Sequence, residues 1–94
     1  MTYDEFKASV AASSPPAGIS DPMQALWHAA NNSWDTAHEQ AQASDGPDGA
    51  WVHAHLHRIE GDLSNAGYWY RRAGKAVSTA PLPQEWDENA KALL

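Results

Sequence analysis

Two histidines and a glutamate at helical spacing are the residues of this chain best suited to chemistry. His53 and His57 are four residues apart, and Glu60 follows three residues later. Residues three and four apart share one face of an α-helix, so these side chains are predicted to form one stripe. Two imidazoles and a carboxylate on one face can bind a divalent metal such as zinc, nickel or iron.

A structural interpretation of the same residues stays open. Arg58 and Glu60 are placed to hydrogen bond to the imidazoles, and the segment lacks both the His-Glu-x-x-His motif of zinc proteases and the Glu-x-x-His pairs of di-iron bundles. The main prediction is therefore that no cofactor is bound. The alternative is a divalent metal held by His53, His57 and Glu60, with His28 as a fourth candidate ligand.

Other reaction chemistry finds little support in the sequence. The chain of 94 residues has no cysteine, which excludes disulfides and thiolate sites. None of its serines adjoins a histidine in a nucleophile elbow. The turn Gly46-Pro47-Asp48-Gly49 has no following lysine and does not resemble a phosphate-binding loop. An enzymatic function is not the favoured prediction.

Charge and hydropathy restrict the partners. Twelve acidic residues against six basic ones give a net charge of −6, which disfavours nucleic acid, because its binders need clustered Lys and Arg. No apolar run approaches the roughly 20 residues of a membrane span, and the N-terminal residues do not resemble a signal peptide. We therefore expect a soluble cytoplasmic protein with no membrane partner.

Start and stop signals predict a single all-α domain of five or six short helices. Ser20-Asp21-Pro22 is a capped helix start, Asn31-Asn32-Ser33 is a break, and the Gly-Pro-rich segment 44–49 is a loop, with Asp48 or Gly49 capping the next helix. Gly61-Asp62 separates two further helices. The predicted elements are terminal helices at about 3–12 and 84–93, hairpin one at about 21–43 and hairpin two at about 50–79.

The two hairpins show a weak internal repeat. An offset of 29 residues places Trp27-His28 on Leu56-His57 and Asn32-Ser33 on Gly61-Asp62. Each unit is then a helix, a two-residue polar turn and a second helix, which is an αα-hairpin. The offset makes His28 equivalent to His57 and is the reason for including it among the candidate ligands.

Helical periodicity also predicts which faces are buried. In the histidine segment, Val52, Leu56 and Ile59 share a stripe with His55 at its edge. In the following helix the predicted stripe contains Leu63, Ala66, Tyr70, Ala73 and Val77. Trp69 lies beside that stripe and is predicted to pack on another element or to stay available for binding.

The segment Gly61–Ala73 resembles a known repeat family. Gly61-Asp62-Leu63 followed by Ala66, Tyr70 and Ala73 is similar to the second helix of tetratricopeptide repeats, and Asn65 through Ala73 looks like their Sel-one-like relatives. The resemblance covers about 25 residues. His53 and His57 depart from it, because the repeat has a leucine and an aromatic there, and the 29-residue offset is shorter than the usual 34. As a whole, the chain resembles a small bacterial family without an assigned function.

This resemblance implies tetratricopeptide-like packing and a protein or peptide partner. Trp, Tyr and Arg are enriched at the energetic centres of interfaces, so the favoured function is a small non-enzymatic interaction module, with homodimerisation as an open alternative. Its predicted binding surface consists of Trp51, Tyr68, Trp69, Arg71 and Arg72. The metal-binding or metal-assisted function described above is the alternative from a different class.

Overall fold

Capping residues and tight turns delimit six α-helices in the computed structural model, which describes all residues from 1 to 94. The helices are α1 (Tyr3–Ser9), α2 (Asp21–Ala30), α3 (Trp34–Ala43), α4 (Pro47–Ile59), α5 (Leu63–Ala73) and α6 (Leu82–Leu93). No residue belongs to a β-strand, so the all-α prediction is confirmed. None of these helices combines the length and the apolar character that a bilayer crossing requires.

The turns inside the two hairpins are built alike. Asn32 and Gly61 take the left-handed conformation, with φ values of 59° and 83°. The next residue, Ser33 or Asp62, donates its backbone N–H to the carbonyl of His28 or His57, at 2.9 Å in both cases. This hydrogen bond closes the preceding helix in the manner of a Schellman motif. The same 29-residue offset therefore relates the two turns, and α2 packs on α3 as α4 packs on α5.

Several helix ends differ from the predicted ones. The fifth helix ends at Ala73 and not near residue 79, because Gly74 turns left-handed with φ 70° and the N–H of Lys75 donates to the Tyr70 carbonyl at 3.0 Å. The first helix ends at Ser9, three residues early. The fourth begins at Pro47 and the sixth at Leu82, because a proline fits the first turn of a helix, where its missing N–H is not needed.

Helix α4 is the centre of the molecule. It packs against α2, α3, α5 and α6, and eight of its thirteen residues are buried. Val52 and Leu56 are buried as predicted, whereas Ile59, at the end of the helix, is exposed. Because neighbours enclose α4 on several sides, His53, His55 and His57 are all taken into the interior. His55 is thus fully buried and not at the edge of the core.

The apolar interior consists of a large cluster and a small one. The small cluster joins α4 to α5 and contains Ala54, Ala66 and Tyr70, with Trp51 and Trp69 packed against it. Leu63 and Val77, which were predicted to share this face, are exposed. Val77 lies beyond the end of α5 and is no longer on its stripe. The large cluster, centred on α2, α4 and α6, contains Phe6, Met23, Ala25, Leu26, Trp27, Ala37, Ala41, Val52, Leu56, Trp86 and Ala90.

Substitution of Gly49 tests how closely α4 meets the preceding loop. A Cβ at Gly49 would lie 2.3 Å from the backbone oxygen of Ser44, so we expect Gly49→Ala to destabilise the fold by about 1–3 kcal/mol, the usual range for overpacking. Gly67 is the matched control, since a Cβ there meets only the end of Arg71 at 3.8 Å. Gly67→Ala should stabilise α5 by about 0.5–1 kcal/mol. Urea unfolding of both variants measures the difference, and equal effects would contradict it.

Candidate metal centre

Three histidines from two helices converge between α3 and α4. His38 comes from α3, and His53 and His57 come from successive turns of α4. One ring nitrogen of each lies within 4.8 Å of the corresponding nitrogen of the other two. The ring centroids are 4.6 Å apart for His38 and His53, 4.9 Å for His53 and His57, and 5.5 Å for His38 and His57. The structure therefore brings together a set of three imidazoles.

Glu60 fixes the orientation of the His57 ring. Its Oε1 lies 2.6 Å from His57 Nδ1. A carboxylate only accepts hydrogen bonds, so Nδ1 carries the proton and the lone pair of neutral His57 is on Nε2. A carboxylate on the second nitrogen of a metal-ligating histidine is a common arrangement that sets the tautomer and raises the basicity of the ligand. Glu60 thus lies on the Nδ1 side of His57 and is not one of the three residues of the histidine group.

The closest pair in the cluster is His38 and His53. Their Nε2 atoms are 2.9 Å apart, which requires that one nitrogen carries the hydrogen and the other accepts it. A metal ion about 2.05 Å from both nitrogens would make an N–metal–N angle of roughly 90°. A tetrahedral angle requires the two nitrogens to lie about 0.4 Å further apart. Small side-chain movements, together with transfer of the shared hydrogen from Nε2 to Nδ1 of the ring that carries it, would convert this hydrogen bond into two metal–nitrogen bonds.

Two tryptophans cover the cluster. Trp34 stacks on His38 with the ring planes 13° apart and meets His57 edge-on. Trp69 stacks on His53 at a centroid distance of 3.8 Å. Only 2% of His53 and 5% of His57 are exposed, while His38 is half-buried. The candidate ligand atoms are thus covered by indole rings.

Burial keeps His53 neutral at physiological pH. Desolvation, which has the largest effect, and the neighbouring His38 and His57 together lower the pKa of His53 to about 4. One nitrogen of this ring, Nδ1, is buried without a hydrogen-bond partner. A neutral imidazole offers the lone pair that a metal ion requires.

A second group of potential ligands lies on the other side of His57. His57, Glu60 and Asp62 also have ligand atoms within 4.8 Å of one another, but both acids are exposed. The Asp62 carboxylate already accepts a hydrogen bond from the backbone of Asn65 at 3.1 Å, as the N-cap of α5. Exposed acids of this kind are common at helix ends, so the three-histidine group is the better candidate.

The predicted ligands divide into those that meet and those that do not. His53 and His57 are in the cluster, and Glu60 supports it from behind. His28 belongs to neither group and lies instead against Trp27, at a centroid distance of 5.1 Å. His38 was not among the predicted ligands. The sequence indication for His38 is that it follows Trp34 by four residues and lies on the helix face next to buried Ala37.

The predicted binding surface is largely engaged in contacts within the protein. Arg72 donates to the Tyr68 hydroxyl at 3.0 Å, and its guanidinium lies 5.1 Å from the centre of the Trp69 ring. The Lys75 ammonium lies 4.5 Å from the centre of the Trp51 ring. Arg71 is exposed, as is Tyr68 at 44%. The aromatic residues of this surface therefore form a layer over α4 and α5 with Tyr68 and the arginines outermost.

A second polar cluster, on the other side of α4, holds α6 in place. Glu85 of α6 is 1% exposed and accepts hydrogen bonds from His55 Nδ1 at 2.6 Å, from Arg58 Nη1 at 2.8 Å and from the Tyr70 hydroxyl. Burial opposes ionisation of Glu85, but the donors from His55, Tyr70 and Arg58 outweigh it and lower the pKa of the carboxyl group. This cluster was not predicted. The sequence feature that indicates this cluster is the position of Glu85 on the apolar stripe of α6, one residue before Trp86.

Comparisons with known protein families, with curated proteins and with solved structures find no match to this chain.

Proposed function

We propose that this protein binds a divalent transition-metal ion through His38, His53 and His57. The observation that supports this best is the convergence of one ring nitrogen from each residue to within 4.8 Å. Imidazole is a good ligand for zinc, copper, nickel and iron, and three histidines are a known ligand set for zinc. Zinc is the natural first probe because it has no geometric preference of its own.

The hydrogen bonding of the cluster favours a metal over a purely structural role. Three imidazole rings have six nitrogens, and the only carboxylate that pairs with them is Glu60 at His57. His38 and His53 are left to share one hydrogen between their Nε2 atoms, and His53 Nδ1 has no partner. A metal ion would bind both Nε2 atoms once the shared hydrogen has moved to the Nδ1 atom of the ring that carries it.

The enclosure of the cluster favours holding an ion over catalysing a reaction. Catalytic zinc sites keep one position open to water or substrate, whereas structural sites are closed. Trp34 and Trp69 stack on His38 and His53, and the two rings of α4 are almost completely buried. Three histidines leave the fourth zinc position unfilled by this group, so the proposal is limited to metal binding and includes no reaction at the metal.

The interaction module favoured by the sequence is the other candidate function, and the specific observation for it is the pairing of exposed Tyr68 with Arg72. Arg72 is held by the Tyr68 hydroxyl and by the Trp69 ring, so a partner would meet a surface that is already ordered. The metal proposal accounts for more of the buried side chains, including Trp69 itself. We therefore propose metal binding as the primary function.

Zinc titration of protein purified without a histidine tag tests the proposal. We expect one zinc per chain by calorimetry and, at zinc a hundredfold above its dissociation constant, a stabilisation of about 2.7 kcal/mol. His57→Ala removes one ligand and should weaken binding by more than about 100-fold, beyond the loss typical of a supporting residue. His28→Ala is the matched control and should bind as the wild type does. Absence of binding by the wild type, or equal loss in both variants, would contradict the proposal.

Glu60 should contribute to metal affinity without contacting the metal. Glu60→Gln removes the charged acceptor from His57 Nδ1, and loss of such an interaction usually weakens binding by about 10–100-fold. Glu39→Gln is the control, because Glu39 adjoins His38 in the sequence but is exposed and makes no hydrogen bond to the cluster. Competition with a zinc chelator measures both affinities. Unchanged affinity in Glu60→Gln would show that Glu60 does not orient the ligand.

A further inference from the structure

The two tryptophans over the histidine cluster are held very differently. The indole N–H of Trp34 donates to the Leu56 carbonyl at 2.7 Å, which ties this ring to α4. Trp69 makes no hydrogen bond within the chain through its indole N–H. Its ring stacks on His53, meets Tyr68 edge-on, lies near the guanidinium of Arg72 and packs against the small apolar cluster. Trp69 is only half-buried. It is the ring that can leave the cluster without breaking a hydrogen bond of its own.

A cavity lies where Trp69 would need space. It has a volume of about 230 Å³ and is lined by Trp69 and Arg72 together with Ala41, Ala50 and the loop 44–47. Ala41 is one helical turn from His38 on α3, and Ala50 is one turn from His53 on α4. The cavity therefore adjoins the end of the histidine cluster, and Trp69 belongs to both.

The other large cavity of the molecule is at a different place. It has a volume of about 540 Å³ and is lined by residues of α1, α2 and α6 and by Asn32, which include Lys7, Val10, Trp86 and Asp87. None of the three histidines lines either cavity, but Trp69, which stacks on His53, lines only the smaller one.

We propose that Trp69 is the gate through which a metal ion enters and leaves the three-histidine site. In the closed state the indole covers His53, as the structure shows. In the open state the ring swings toward the adjoining cavity and exposes the cluster to solvent. Arg72, which contacts both Trp69 and Tyr68, favours the closed state. This inference rests on the proposed metal-binding function and adds the control of exchange at that site.

Gating makes a kinetic prediction that a structural tryptophan does not. A gate changes the rates of binding and release together, so the dissociation constant changes much less than either rate. A residue that merely stabilises the bound state changes release alone and shifts the dissociation constant by the same factor. The two roles are therefore separated by measuring rates and affinity on the same variants.

Stopped-flow release of zinc from loaded protein into excess chelator tests the gate. We expect Trp69→Ala to release zinc at least about tenfold faster, the size of the lost stacking and cation contacts, and to bind it faster by a similar factor. Arg72→Gln, which leaves the interior unchanged, should release zinc roughly two- to fivefold faster, as expected for one exposed cation–π contact. Trp51→Ala is the control and should exchange at the wild-type rate, because Trp51 contacts none of the three histidines through its ring and does not line the cavity.

The possible results separate the gate from the metal site. Stoichiometric zinc binding with wild-type release rates in both Trp69→Ala and Arg72→Gln overturns the gate alone. Faster release with an unchanged binding rate overturns it as well, because Trp69 then only stabilises the bound ion. Absence of zinc binding by the wild type overturns the proposed function and the gate with it. If Trp69→Ala does not fold, the Arg72→Gln rates decide.

Discussion

Glu85→Gln should be the most destabilising single-atom change in this protein, with a loss of about 3–5 kcal/mol. That range is typical when one partner of a buried ion pair is removed and the other stays behind. The carboxylate of Glu85 accepts from His55, Arg58 and Tyr70 at once. Glutamine has the same shape, but it removes the negative charge opposite Arg58 and turns an amide N–H₂ donor toward one of these donors.

The thermal midpoint gives the simplest measurement of this effect. For a domain of this size, 1 kcal/mol corresponds to a shift of about 4–8 °C, so we expect a decrease of at least about 12 °C. Glu88→Gln is the matched control, because Glu88 is one turn further along α6, is exposed and pairs only with Gln84. It should change stability by less than about 0.5 kcal/mol. Similar midpoints for the two variants would show that the Glu85 cluster does not hold α6.

Acid should destabilise the metal-free protein through His53. The pKa of His53 is lowered to about 4 in the folded protein, mainly by burial, and is near 6.5 in the unfolded chain. Between these values the unfolded chain binds a proton that the folded protein excludes, so stability is present above pH 6.5 and is lost as the pH falls toward 4. The shift corresponds to a loss of about 3 kcal/mol across this window.

Urea unfolding at several pH values, with a chelator present, measures the contribution of His53. In His53→Gln the free energy of unfolding should change less between pH 6.5 and 4 than in the wild type. His28→Gln should keep the wild-type slope, because His28 lies outside the cluster. The lowered pKa of Glu85 adds a further acid-sensitive contribution, lost as the pH falls through its folded value, but it is common to all three proteins. Equal slopes in wild type and His53→Gln would contradict the account.

Local chemistry in the sequence was sufficient to predict the helices. Ser20 and Asp62 cap α2 and α5 with the side-chain hydrogen bonds expected of these residue types. Gly74 was overlooked as a stop signal, which extended α5 in the prediction and placed exposed Val77 on its buried stripe. These successes and errors depend on interactions within a few residues, where sequence is most informative.

The sequence predicted only the part of the candidate site that comes from a single helical segment. The spacing of His53 and His57 placed them together, because both are on α4. Glu60 was placed on the same stripe, but the distinction between a ligand and a hydrogen-bond partner of His57 depends on side-chain conformation. The contribution of His38 depends on how α3 packs on α4, and that of Glu85 on how α6 packs on α4. Such contacts between distant segments do not leave a periodic pattern in the sequence.

The resemblance to tetratricopeptide repeats stays a prediction about how the two αα-hairpins pack. The residues that depart from the repeat pattern, His53 and His57, are those that meet His38. In a repeat these positions would hold a leucine and an aromatic. Histidines at these positions, together with two covering tryptophans, make the face between α3 and α4 the part of the molecule where its function is best sought.

Anomalous diffraction at the zinc edge, from crystals grown with zinc in excess, tests the central claim most directly. The account predicts one strong peak about 2.0–2.1 Å from a ring nitrogen of each of His38, His53 and His57, with Glu60 still bonded to His57 Nδ1. A main peak between His57, Glu60 and Asp62, or no peak at the three histidines at saturating zinc, would contradict it.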